Sequence, residues 1–66
     1  MSNVYKKQNQ RVTTVAEGIL LYFEILNETS GLVEYIDNEI IADDTEATIT
    51  ATINAYLLKN NITLSA

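Results

Sequence analysis

Apolar and polar positions along this chain follow two periods at once. Val15, Ile19, Tyr22, Phe23 and Leu26 recur at the three-to-four-residue spacing of a helix face. Thr14-Val-Ala-Glu17, which precedes most of them, fits a capping box, in which the Thr hydroxyl and the Glu carboxylate each satisfy a free backbone N–H. The spacing predicts a first helix over 14–27. Ile19, Leu21, Phe23 and Ile25 also alternate at period two, and β-branched and aromatic residues favour strands, so an extended reading competes. Gly18 weakens either element.

Asn27-Glu-Thr-Ser-Gly31 is rich in turn residues and interrupts the pattern. Leu32, Val33, Ile36, Ile40 and Ile41 then mark one helical face, with Glu34, Asp37, Asn38 and Glu39 mostly elsewhere. This predicts a second helix over 31–42 with Ser30 as its N-cap. A hairpin across 27–31 is the alternative.

Asp43-Asp44-Thr45-Glu46 is a helix start, because acids there meet the positive end of the helix dipole. A stripe of Ile49, Ile53, Tyr56 and Leu57 follows, edged by Ala47, Ala51 and Ala55, with Lys59 near the end and Asn60 or Asn61 as C-terminal cap. Residues 47–55 alternate at period two as well, but caps at both ends favour a helix over 45–59. Ile62-Thr-Leu64 reads as a short extended tail.

Residues 1–12 carry few apolar groups and three of the chain's cations, Lys6, Lys7 and Arg11. They read as a mobile cationic arm. The resulting expectation is an all-α fold: one compact unit of about three short helices over 13–66, preceded by the 1–12 arm. The alternative is α+β, with 18–41 as a β-hairpin packed on the 45–59 helix.

Composition decides more about chemistry than about fold. The 66 residues include no His, Cys, Trp or Pro, and only two Gly. There is no imidazole to shuttle protons, no thiolate to attack or hold zinc, and no glycine-rich loop to cradle phosphate. Disulfides are impossible, so a chain this small must rely on tight packing or on burial against another chain. Its acids match no calcium-loop pattern, and its hydroxyls have no base beside them. We expect no enzyme activity, no metal, no cofactor and no small-molecule substrate.

Charge is segregated. All nine acids lie between Glu17 and Glu46, while Lys59 is the only cation after Arg11. The arm is expected to solvate the chain or to reach the acidic body of a neighbouring copy; nucleic acid ranks last, because such binders are normally basic overall. The first ten residues show no secretory pattern, and the best apolar run, 18–26, falls short of a bilayer span, so a soluble, cytoplasmic or virion-associated protein is expected.

A helix over 14–27 would be apolar nearly all round and would need burial nearly all round. Ile19, Leu20, Tyr22, Phe23 and Leu26 are therefore the expected contact of a small self-associating structural or assembly protein, such as a virion component, with Lys6, Lys7 and Arg11 as an electrostatic arm. The alternative function is an acidic inhibitor or adaptor that binds a larger protein through carboxylates, with Glu17, Glu24 and Glu28 along one line of that helix.

Overall fold

The computed structural model describes residues 3–65; residues 1 and 2 of the expected arm and residue 66 of the expected domain lie outside the described residues. Three strands precede one helix: β1 (Tyr5–Val15), β2 (Gly18–Asn27), β3 (Leu32–Ile41) and α1 (Glu46–Lys59). The strands form one antiparallel sheet in the order β1-β2-β3, so β2 is central and both neighbours are edges. The fold is α+β. The all-α expectation, with helices over 14–27 and 31–42, is overturned; of the three predicted helices only the last is helical.

Period two wins over 18–27 because β2 is buried on one face by what packs there. Leu21, Phe23 and Ile25 are fully buried and point to the helix side. Leu20, Tyr22, Glu24 and Leu26 alternate with them on the other side and are half-buried. Apolar residues on both sides of a strand imitate the all-round apolar helix that the sequence suggested.

In β3 the false helical signal has a geometric cause. Leu26 pairs with Val33, whereas Ile25 pairs with Tyr35, so Glu34 is an extra residue in a β-bulge. The bulge puts Val33, Ile36 and Ile40 on one face, although they are spaced three and four apart as on a helix. A second bulge at Asn9 and Gln10 does the same in β1, where Gln8 pairs with Glu24 and Arg11 with Tyr22. Asn9 adopts a left-handed backbone there, at φ 53°.

The turns use the residues that suggested helix caps. Thr14 and Glu17 belong to the β1–β2 hairpin, where Gly18 takes φ +137°, a conformation L side chains rarely adopt. Between β2 and β3 the buried Asn27 accepts from the N–H groups of Thr29 (2.9 Å) and Ser30 (3.3 Å) and donates to Glu34 Oε2 (2.7 Å). Ser30 caps no helix; its Oγ accepts from Leu32 N–H inside this turn.

Helix α1 starts where the sequence places it. Thr45 is the N-cap and its hydroxyl oxygen accepts from Thr48 N–H at 3.3 Å. At the other end Asn61, at φ 55°, and Ile62 donate to the carbonyls of Leu58 (3.2 Å) and Leu57 (2.9 Å), a Schellman arrangement that also buries Ile62 beside Leu57.

The helix lies over one side of the sheet only. There Ile53 and Leu57, together with Ile62, close the core on Leu21, Phe23, Ile25 and Ile41. Tyr56 meets Phe23 edge to face at 5.2 Å and Tyr35 at 6.3 Å, and Tyr35 meets Tyr5 at 6.3 Å. The chain then runs along the outer edge of β1, where Leu64 bridges Tyr5 in the parallel sense and Ser65 N–H donates to Tyr5 O at 2.9 Å.

Candidate functional site

Two surfaces carry chemistry that the fold does not consume. The first is the open face of the sheet, opposite α1. Register places Lys6, Gln8, Arg11 and Thr13 of β1 there, beside Leu20, Tyr22, Glu24 and Leu26 of β2 and Val33, Ile36, Asn38 and Ile40 of β3. An antiparallel sheet with one solvated face is ordinarily polar on that face. Here Ile36 is 59% exposed and Ile40 51%.

A polar network interrupts this apolar surface near its middle. Glu24 accepts from Gln8 Nε2 (3.0 Å), from Asn9 Nδ2 (2.8 Å) and from the Tyr22 hydroxyl. The bulge and left-handed turn at Asn9 bring that side chain into reach. Arg11 lies over the Tyr22 ring, 4.6 Å from its centroid. The hydrogen bond from Tyr22, then those from Gln8 and Asn9, lower the Glu24 pKa, and the same bond to Glu24 raises that of Tyr22.

The second surface is a groove of about 530 Å³ between β3 and α1, lined by Asp37, Glu39, Ala51, Thr52, Ala55, Tyr56 and Lys59. Asp37 and Glu39 pair with Phe23 and Leu21, so both carboxylates point toward the helix side of an edge strand. Small residues at 51 and 55 leave the space above them. Asp37 Oδ2 is buried and meets no N–H or hydroxyl donor. A hydrogen bond to Asp37, then burial and the Asp37 charge, push the Glu39 pKa up to about 7, against a weaker lowering by Lys59. Burial, followed by the charges of Asp37, Tyr35 and Glu39, also raises the Tyr56 pKa.

The residues expected to form an interface divide between the two sides. Leu20, Tyr22 and Leu26 share the open face, whereas Ile19 and Phe23 lie on the helix side, Phe23 deep in the core. Lys6, Lys7 and Arg11 are ordered in β1, with Lys6 and Arg11 on the open face and Lys7 on the helix side, donating to Gln10 Oε1 at 2.6 Å. Glu17, Glu24 and Glu28 form no line: Glu17 sits in the first hairpin turn, Glu28 beyond the far end of β2, and Glu24 is engaged by its three donors. Among the described residues, no three acids gather closely enough to hold a metal ion. No helix among them is long and apolar enough to cross a membrane.

The Asp37–Glu39 pair was invisible to a helical reading. On a helix, residues two apart point to nearly opposite sides; on a strand they share a face. Comparison of the chain with family models, with curated proteins and with solved structures finds no match.

Proposed function

We propose that this protein is a non-enzymatic, self-associating structural or assembly component whose copies meet through the sheet side that α1 leaves open. The observation that carries this reading is one-sided coverage: a single helix covers one face of the sheet, and Leu20, Leu26, Val33, Ile36 and Ile40 are left on the other. Apolar side chains left uncovered on both sides of the Glu24 network mark an interaction site on a small protein. Size points the same way, since a chain of this length buries only about 60% of its unfolded surface by itself.

Charge favours a second copy as the occupant. The open face carries Lys6, Arg11 and Glu24, a balance of two cations to one acid on a chain of net charge −5. Copies that meet there bring together their least acidic surfaces, which keeps repulsion low. Strands about 33 Å long, spaced about 4.8 Å apart, give this face a projected area on the order of 500 Å². Stable interfaces bury about 800 Å² per partner, so the face alone supports only a weak contact.

The reading is tested by Ile36→Asp and Ile40→Asp, checked for folding by circular dichroism. Each is expected to move self-association to at least about tenfold higher protein concentration. Unchanged association in both folded variants would remove the open face from the account.

A further inference from the structure

The two edges of the sheet carry opposite charge. β1 holds Lys6, Lys7 and Arg11 and no acid; β3 holds Glu34, Asp37 and Glu39 and no cation. The edges are of nearly equal length, 11 and 10 residues. In the described chain they lie on opposite sides of β2 and so do not pair with each other. The charges of the two edges are opposite in sign, and on the helix side Lys7 of β1 is the counterpart of Asp37 and Glu39 of β3, while Lys6 and Arg11 lie on the open face.

Geometry fixes how a second copy would fit. Both β1 and β3 run antiparallel to β2, and therefore parallel to each other. A copy added with its helix on the same side continues the sheet through a parallel β3–β1 pair. The outer edge of β1 already accepts a parallel neighbour, because Leu64 bridges Tyr5 in that sense. That bridge occupies only the start of the edge. Lys7 is on the helix side of β1, the same side as Asp37 and Glu39 on β3, and the groove beside those carboxylates is open. Bulges at Asn9–Gln10 and at Glu34 make both edges irregular, which disfavours pairing with unrelated strands.

We propose that copies of this chain join head to tail, the cationic β1 edge of one lying along the acidic β3 edge of the next, with Lys7 directed into the Asp37–Glu39 groove. This rests on the self-association reading above and adds to the open-face contact a second contact along the sheet edges. Each junction leaves another β1 and another β3 edge free, so growth continues until the rotation between copies closes a ring or extends a filament. Continuing the sheet also lengthens the open face, which makes up for the modest apolar area of a single copy.

The test is a charge exchange. Lys6→Glu/Lys7→Glu reverses the sign of one edge, and Asp37→Asn/Glu39→Lys neutralises the other. Each variant alone is expected to associate at least about tenfold more weakly than wild type, while an equimolar mixture recovers association, since each supplies an edge the other lacks. Recovery on mixing also shows that both variants fold. A folded Lys6→Glu/Lys7→Glu variant that associates like wild type, or a mixture of folded variants that recovers nothing, overturns the head-to-tail geometry. If either variant fails to fold, salt decides on the wild type. Raising salt from about 0.05 M to about 0.5 M is expected to weaken association at least about tenfold, and a salt-insensitive association overturns the geometry. Wild type that stays monomeric throughout instead removes the self-association reading beneath it.

Discussion

Asp37 and Glu39 stand side by side on the helix side of an edge strand, and the interaction with Asp37, together with burial, pushes the Glu39 pKa up to about 7. Charged residues turned inward on a sheet edge protect that edge from indiscriminate pairing. The groups facing this pair are Tyr56 and Lys59 from α1 and Tyr35 from its own strand.

The sign of the pH effect follows from that raised value. Folded Glu39 holds its proton up to about 7, whereas its ordinary value is 4.5. The stability this contributes is fully present below pH 4.5 and is lost as pH rises through 7. Glu24 and Asp43 are shifted down, so their contribution is present above their ordinary values and is lost as pH falls. Urea midpoints measured across pH should peak in mildly acid solution, and Glu39→Gln should flatten the decline toward pH 7. A decline unchanged in Glu39→Gln would place its origin elsewhere.

The core prediction concerns Phe23, which is fully buried and meets Tyr56 edge to face. Phe23→Ala should cost about 3–5 kcal/mol in urea unfolding, enough to unfold a protein this small at ambient temperature. Leu58→Ala is the control: Leu58 is 80% exposed, and the change should fall within about 0.5 kcal/mol.

Asn27 organises the β2–β3 turn with its side chain and with its carbonyl, which accepts from Gly31 N–H at 2.7 Å. Asn27→Ala removes the acceptor for Thr29 and Ser30 N–H and the donor to Glu34. A loss of about 1–3 kcal/mol is expected by urea unfolding. Asn27→Asp keeps the acceptor but sets a second charge against Glu34, so it should recover only part of the loss.

The helix was legible in the sequence because its signals are local. Asp43-Asp44-Thr45-Glu46 at one end, and Lys59 with Asn60 or Asn61 at the other, mark both ends without reference to anything distant. The strands were not, for two reasons that involve particular residues. β2 is apolar on both faces, since Leu20, Tyr22 and Leu26 look outward while Leu21, Phe23 and Ile25 look inward, and such a run matches a helix as well as a strand. In β3 the bulge at Glu34 shifts the alternation, so that Val33, Ile36 and Ile40 acquire helical spacing while sharing one face of a sheet.

The strand that runs through the cationic segment was not legible for a related reason. Residues 5–12 look like a polar tail when taken alone, yet β1 is an edge strand whose open-face positions need no apolar side chain. Only pairing with β2 orders it, and pairing is not a local property. The same holds for the groove: Asp37 and Glu39 become neighbours once β3 is extended, and Ala51, Ala55 and Tyr56 join them once α1 is laid across the sheet.

Self-association is the claim on which the functional account stands, and absolute mass by light scattering across protein concentration tests it most directly. The account predicts masses above the 7.4 kDa of one chain, rising with concentration. A folded species of 7.4 kDa at every concentration would contradict it.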